Sequence, residues 1–213
     1  FPKERQTSKS AGFAINYGGQ GITIATNIGI SKEEGDEIYN AYFKAFPGLK
    51  KYFDAQKKLA LKNGYIQFND VSYRKNYIMF FEEFKELEKQ VNNSKFWNKY
   101  DKNNSEHRSH VRKYYTKKGE IERNALNYLI QGSSADVTKL AMIYFFRYIM
   151  DNNLFGKLYM CNVIHDEIVV ECKESKAEKV AKILKNCMER AGDKFCKTVP
   201  LTAEPCIEDF WNH

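Results

Sequence analysis

Two adjacent carboxylates, Asp166 and Glu167, follow His165 between two short apolar runs. The runs, residues 158–164 and 168–172, predict two buried strands joined by a His-Asp-Glu turn. Two carboxylates at the edge of a sheet cost free energy unless a cation or a partner neutralises them. The pattern therefore suggests a cation-binding turn. Taken alone, an ordinary polar hairpin turn would be the simpler interpretation, but a second group of residues favours the cation.

This second group lies near the N-terminus, where four residues recur in steps of four ahead of Gly18: Arg5, Lys9, Phe13 and Tyr17. On a helix this spacing forms one slowly turning stripe, whose ends are roughly 18 Å apart. Two cations one turn apart match a row of phosphates, and two aromatic rings offer faces on which a base can stack, a contact worth about 1–3 kcal/mol. The alternative is an amphipathic helix with its aromatic rings in the core and its cations in solvent.

A third group lies on a long helical pattern over residues 120–151. Three side chains with donor groups stand at steps of four and would line one face of it: Arg123, Asn127 and Gln131. The run Gly132-Ser133-Ser134 predicts an interruption of this helix. Residues 140–149 are apolar nearly all round and predict a buried segment.

The other elements must hold these groups in place. Ser31 and Glu34 form a capping-box pattern that predicts a helix to about Phe46. Four further elements are predicted: a helix over residues 49–62, a strand pair within 65–78, a helix over 174–190 and a strand over 199–207. Because helices precede a strand–turn–strand unit, a helix and a strand, the predicted fold class is α+β.

Residues 82–119 are highly charged and polar. A helix is predicted over residues 82–91, followed by an Asn-rich segment and then by a set of basic residues: Arg108, Arg112, Lys113, Lys117 and Lys118. One interpretation is a solvated surface insertion. The other is a basic lobe that contacts the backbone of a nucleic-acid duplex.

The composition is that of a folded protein. Of the 213 residues, 43% are hydrophobic and 15% aromatic, which excludes a disordered chain. The net charge of +7 favours a nucleic acid or another polyanion as partner, although a Lys-rich composition from an AT-rich genome would produce the same excess. The five cysteines have no spacing typical of zinc sites or disulfide frameworks. No membrane span or signal peptide is visible, so we expect a protein of the bacterial or virus-infected host cytoplasm, with an organelle as the alternative.

Three blocks, in this order, resemble the polymerase core of family-A DNA polymerases, the DNA polymerase I type. The first, Arg5-x3-Lys9-x3-Phe13-x3-Tyr17-Gly18, is similar to motif B of the fingers. The second, residues 122–142 with the run Gln131-Gly132-Ser133-Ser134-Ala135-Asp136, is similar to the long helix that runs from fingers to palm. The third, Val163-Ile164-His165-Asp166-Glu167, is similar to motif C.

The resemblance extends from residue 5 to Trp211 and implies a right-hand polymerase architecture. Residues 1–125 would form a helical fingers subdomain, and residues 126–213 would form the C-terminal part of an antiparallel-sheet palm. Residues 79–117 fall outside the resemblance and are expected to be a charged, lineage-specific insertion.

The resemblance also implies roles for the motif residues. Asp166 would bind the catalytic magnesium ions, with Glu167 as an auxiliary carboxylate. Lys9 would bind the incoming dNTP and protonate the leaving pyrophosphate, and Arg5 would hold the γ-phosphate. Phe13 would stack near the incoming sugar and base. The primer-template DNA would be contacted by a further set: Tyr17, Gly18, Arg123, Asn127, Gln131 and His165.

The implied activity is template-directed DNA synthesis in replication or repair, in which a primer 3′-OH attacks a dNTP with two Mg²⁺ ions bound. The family's motif A, which carries the other metal-binding aspartate, would precede Phe1, as would the thumb and any exonuclease. We therefore expect this chain to be a C-terminal part that is inactive alone and joins an N-terminal part in the same or another chain. The alternatives are a non-catalytic nucleic-acid-binding module of the same fold and, closer in chemistry, a single-subunit RNA polymerase.

Overall fold

The computed structural model describes residues 2–211, with side chains from residue 5 onwards. These residues form two compact units. Unit 1 contains the residues up to 67 and those from 74 to 129, and unit 2 contains residues 68–73 and those from 130 onwards. Identification of the two units with fingers and palm subdomains, with a boundary at residue 125, stays a prediction.

Unit 1 is mainly helical. Its elements are α1 (Pro2–Asn16), α2 (Gly21–Ile28), α3 (Lys32–Ala45), α4 (Pro47–Asn63), the antiparallel strands β1 (Tyr65–Gln67) and β2 (Lys75–Tyr77), α5 (Phe81–Val91), α6 (Ser94–Lys99) and the first part of α7 (Ser105–Asp151). One core cluster joins α1–α4 to α7 through the buried residues Ala11, Ala14, Ile15, Ile24, Phe43, Phe53 and Leu126. The other joins α4, β1, α5 and α7 through Ala60, Ile66, Phe84, Val91, Tyr114, Ile121, Ala125 and Leu129.

The predicted helix boundaries around residues 31–64 are confirmed. The Ser31 side chain accepts from the backbone N–H of Glu34, and the Glu34 carboxylate accepts from the backbone N–H of Ser31. The hydrogen bond from the Ser31 backbone lowers the pKa of Glu34. Pro47 occupies the first turn of α4, and Gly64 ends this helix in the left-handed conformation, with φ of 74°.

Helix α2 was not predicted, because its sequence is rich in β-branched residues that favour strands. Close packing on α3 explains why it is helical. A Cβ atom on Gly35 would lie 2.3 Å from the carbonyl oxygen of Gly21, so only two glycines permit this approach of the helices. The tertiary contact overrides the local preference.

The predicted limits of the long helix are wrong in two respects. Helix α7 begins at Ser105 rather than Glu120, because the Asn104 side chain accepts from the backbone N–H of Glu106 at 2.8 Å and thereby caps the helix. The helix is also continuous through the Gly132-Ser133-Ser134 run. The predicted burial of residues 140–149 is wrong as well, since two apolar side chains there are 44–47% exposed: Ile143 and Phe146.

Unit 2 combines the rest of α7 with an antiparallel hairpin and a helix. Strand β3 (Leu158–Ile164) pairs with β4 (Glu167–Cys172), and a short 3₁₀ turn (Glu174–Lys176) leads into α8 (Ala177–Phe195). The core cluster comprises Ala141, Phe145, Ile149, Leu158, Ile168, Val180, Leu184 and Ala191. Helices with two separate antiparallel pairs of strands in the described part of the chain confirm the predicted α+β class.

Two predictions about the strands of unit 2 are wrong. Strand β3 is not buried, because Leu158 is its only buried residue and nothing in unit 2 covers the other side of most of the strand. Residues 199–207 form no strand. Instead Leu201 packs on Gly192, and the backbone N–H of Ala203 donates to Glu189 at 3.3 Å, so this segment runs along α8 and reaches no sheet partner.

Within residues 2–211, no helix is both long enough and apolar enough to cross a lipid bilayer.

Candidate functional site

The residues predicted to bind a nucleotide form the expected stripe along α1 and the turn that follows it. We call this set the α1 stripe: Arg5, Lys9, Phe13 and Tyr17. Arg5 and Lys9 are exposed, and Phe13 is 48% exposed. The Lys9 ammonium lies 5.7 Å from the centre of the Phe13 ring, and the rings of Phe13 and Tyr17 are parallel within 7° at 6.1 Å. The alternative in which both aromatic rings pack into the core is therefore wrong for Phe13.

The α1 stripe borders a cavity of about 570 Å³ in unit 1, which we call the α1 pocket. Its lining comes from α1, the turn after it, α2 and α7: Ser10, Phe13, Ala14, Tyr17, Gly19, Thr23, Asn27 and Arg123. Tyr17 and Arg123, predicted from separate sequence blocks, thus line the same pocket.

The turn after α1 requires glycine at two positions. Gly18 has φ of 82°, a conformation that L side chains rarely adopt. A Cβ atom on Gly19 would lie 2.7 Å from the carbonyl oxygen of Ala14. The chain therefore turns sharply at the end of α1, with Gly18 next to Arg123 and Leu126 of α7.

The three donor residues of α7 differ in exposure. Arg123 and Gln131 are exposed, whereas Asn127 is half-buried. The amide oxygen of Asn127 is fully buried and has no hydrogen-bond partner among the described residues. Such an atom costs free energy unless an ordered water supplies a donor.

The hairpin turn that carries the acidic pair is shorter than predicted. Ile164 and Glu167 are cross-strand partners, so the turn contains only His165 and Asp166, and Glu167 is the first residue of β4. His165 is left-handed, with φ of 51°. The buried Thr138 hydroxyl of α7 lies 3.4 Å from its carbonyl oxygen and 3.2 Å from the carbonyl oxygen of Ser134, so the two acceptors share one proton. Thr138, which no sequence motif singled out, therefore helps to hold the turn in place.

Asp166 has the character of a ligand for a hard cation. Its side chain is exposed and makes no ion pair with any residue in the described range. Carboxylate oxygens are the ligands that Mg²⁺ prefers, and one or two of them with substrate phosphates are a common set. Asp166 and Glu167 therefore fit Mg²⁺ as ligands. In residues 2–211, however, no group of three or more Asp, Glu, His or Cys side chains is placed to hold a metal ion.

The Gly132-Ser133-Ser134 run, which had predicted an interruption of the helix, docks the loop at residues 68–73 onto α7 together with Asp136. The buried Asp136 carboxylate accepts hydrogen bonds from Asn69 at 2.9 Å and from the Ser72 hydroxyl at 2.6 Å. The Ser133 hydroxyl donates to the carbonyl oxygen of Phe68 at 2.8 Å. The run therefore maintains the structure of unit 2.

Replacing Gly132 by alanine is expected to destabilise unit 2 by about 1–3 kcal/mol, the usual cost of overpacking. The new Cβ atom would lie 2.4 Å from the Phe68 ring, so the ring and the loop must move. Gly12→Ala is the matched control, because Gly12 also lies inside a helix but has no atom within 4 Å of a new Cβ. The measurement is the free energy of unfolding in urea.

The double variant G132A/F68A separates the clash from a general helix effect. Removing the ring should recover part of the loss caused by Gly132→Ala, beyond what the two single variants predict by addition. Equal free energies for Gly132→Ala and Gly12→Ala would contradict the proposed packing.

Known proteins similar to this chain agree with the polymerase resemblance of its site residues. A model of DNA polymerase family A matches residues 1–213. The DNA polymerase I of Caldicellulosiruptor bescii is 32% identical over 205 residues, which cover 95% of this chain and 20% of that protein. The DNA polymerase I of Aquifex aeolicus is 29% identical over 215 residues, which cover 98% of this chain and 30% of that protein.

A solved structure is similar as well. The POL domain of Pol1 from M. smegmatis, in complex with DNA primer-template and dNTP, matches with a TM-score of 0.65 and 26% identity, over 90% of this chain and 28% of that chain. This chain thus spans less than a third of the length of each of these relatives. Since the family model matches from end to end, the chain belongs to DNA polymerase family A.

Proposed function

We propose that this chain takes part in template-directed DNA synthesis, in which a nucleotide is transferred from a dNTP to a primer 3′-OH during replication or repair. The observation that carries the proposal is the exposed α1 stripe beside the α1 pocket, in a chain of this family. The neighbour from M. smegmatis, whose complex contains DNA primer-template and dNTP, supports the same ligands here.

In this proposal the α1 stripe binds the incoming nucleotide. The cations of Arg5 and Lys9 stand one helical turn apart and bind the triphosphate, with Arg5 at the γ-phosphate. Phe13 stacks near the sugar and base. The ammonium of Lys9 donates a proton to the pyrophosphate oxygen as the bond to the α-phosphate breaks, so that the leaving group departs with less negative charge.

The β3–β4 turn supplies the metal ligands from this chain. Asp166 binds Mg²⁺, and Glu167 is an auxiliary ligand. Bound Mg²⁺ would stabilise the negative charge that develops on the attacking and leaving oxygens. The hydrogen bond from Thr138 keeps His165, and with it the start of the turn, in one position.

The DNA contacts are proposed for the remaining motif residues. Tyr17 lines the α1 pocket, and Gly18 follows it in the turn, so the templating base would enter here. The other contacts would be made by side chains that donate hydrogen bonds in the minor groove, where the acceptors of all correct base pairs occupy common positions. These side chains are Arg123, Asn127, Gln131 and His165.

We expect these 213 residues by themselves to give no primer extension. In this proposal Asp166 and Glu167 supply one part of a two-ion site and the motif A aspartate supplies the other, so this chain by itself holds too few carboxylates for two Mg²⁺ ions in catalytic geometry. Joining the chain to, or mixing it with, a polymerase part that carries the motif A aspartate should yield magnesium-dependent extension of a primer on a template. We call this assembly the reconstituted polymerase.

The assay compares the chain alone, the motif A part alone and the reconstituted polymerase, each with Mg²⁺ and with EDTA. Extension that requires both parts and Mg²⁺ supports the proposal. Binding of primer-template DNA without any extension would instead favour the non-catalytic module.

A further inference from the structure

We propose that the outer face of α7 in unit 1 binds single-stranded nucleic acid, namely the template strand ahead of the α1 pocket. This face, the α7 stripe, consists of Arg108, Arg112, Tyr115 and Arg123. The inference rests on the proposed function, because it takes the strand to be a template. It assigns a role to the charged segment that the polymerase motifs left unexplained.

The helical geometry places these four residues on one side of α7. At 100° per residue they fall within a sector of about 80°. The buried residues Tyr114, Ile121 and Ala125 point to the opposite side. With a rise of 1.5 Å per residue, Arg108 and Arg123 are about 22 Å apart, a length that several nucleotides of an extended strand would cover.

The C-terminal end of the stripe lies at the α1 pocket. Arg123 lines this pocket together with Tyr17. Its guanidinium extends back along the helix, since Nη1 would lie 3.3 Å from a Cβ atom on Gly119. The Arg123 guanidinium therefore lies over Gly119, between the α1 pocket and Tyr115, where it could contact a phosphate of a strand that leaves the pocket.

Tyr115 is an exposed aromatic ring with a rigid support. It is 56% exposed, and its ring contacts that of Tyr114 at 5.0 Å. Tyr114 is buried and in turn stacks on the fully buried Phe84 at 5.8 Å. A ring fixed in this way loses little conformational freedom when a base stacks on it.

Two arginines of the α7 stripe are available to bind a ligand. Arg108 and Arg112 are exposed and make no ion pair with any residue in the described range. Unpaired arginines attract phosphates, and their planar groups can also stack on bases. An aromatic ring between cations is typical of single-strand binding, whereas a duplex backbone would need the cations alone.

The test measures the affinity of the reconstituted polymerase for primer-template DNA with a 5′ template overhang of about 2 or about 16 nucleotides. The unaltered protein should bind the long overhang more tightly. Tyr115→Ala should reduce this advantage about fivefold or more. The double variant R108Q/R112Q should also reduce the affinity advantage of the long overhang. For that overhang, the slope of log K against log salt concentration should become smaller in magnitude by about 1.4, the value for two phosphate contacts with a single strand.

Matched controls use α4 of the same unit. Tyr52→Ala removes a ring that is 49% exposed, and K51Q/K58Q removes two exposed cations, so neither should change the overhang advantage. Equal losses of affinity for both overhangs in the α7 variants would overturn the proposal. So would an advantage that appears only when the overhang is made double-stranded, because the face would then bind a duplex backbone.

Nucleotide incorporation distinguishes this inference from the proposed function. The α7 variants should incorporate a nucleotide normally on the short overhang. Lack of incorporation by the unaltered protein, with the overhang advantage intact, would support the α7 stripe and count against the proposed activity.

Discussion

Replacing Asp166 by asparagine in the reconstituted polymerase is expected to lower the rate of primer extension about a thousandfold or more. The substitution keeps the shape of the side chain but removes the charge that would hold Mg²⁺. Loss of metal-based stabilisation of the transition state amounts to several kcal/mol, and each 1.36 kcal/mol corresponds to a factor of ten in rate. The measurement is single-turnover incorporation with saturating DNA and dNTP.

The structure indicates that this substitution leaves the fold intact. Asp166 is exposed and bonds to no other described side chain, whereas the turn is held by the backbone carbonyl of His165. Affinity for primer-template DNA should therefore remain. Asp193→Asn, at an exposed position of α8, is the control and should extend primers normally. Normal extension by the Asp166→Asn protein would refute the assignment of the metal ligand.

Substitution of Lys9 is expected to have the second largest effect. Lys9→Ala should lower kcat/KM for the dNTP by about a hundredfold to ten-thousandfold, the usual range for loss of a general acid. Lys9→Arg should separate the two proposed tasks of this residue. Arginine keeps a positive charge for the triphosphate but holds its proton at neutral pH, so KM should change little while kcat falls.

The contacts of Lys9 indicate that its substitution should not unfold the protein. The side chain is exposed, and its one described contact is the ammonium 5.7 Å from the Phe13 ring, an interaction worth about 0.5–1 kcal/mol at an exposed site. Lys51→Ala, an exposed lysine of α4, is the control. If Lys9→Arg matched the unaltered protein in kcat, the general-acid role would be wrong and only phosphate binding would remain.

Sequence patterns predicted most of the local structure because its causes are local. The Ser31–Glu34 box acts within a few residues and is present in the structure, and the helix predicted over residues 49–62 is α4, which begins two residues earlier, at Pro47. The steps of four from Arg5 to Tyr17 required only a helical period. Helix α2 was missed because its support comes from Gly35, on the next helix.

The residues of the candidate site were predicted from separate motifs, without their spatial relation. Patterns identified Tyr17, Arg123 and the acidic turn, but could not show that Tyr17 and Arg123 line one pocket or that Thr138 holds the turn. The partners of Thr138 and Asp136 are far away in the sequence, and hydrogen bonds between distant residues leave no periodic signal. The Gly132 run consequently predicted a break where the structure has a docking surface.

Local patterns were enough to predict the α+β class, the limits of α3, α4 and α5, the hairpin and the residues that resemble polymerase motifs, because capping, periodicity and turn chemistry operate between near neighbours. The tertiary structure alone decided which faces are buried. Strand β3 stays exposed, residues 199–207 follow α8, and the Arg112 side of α7 remains open to solvent. Burial depends on which distant segments cover a surface, and a strand forms only where a partner offers its backbone hydrogen bonds.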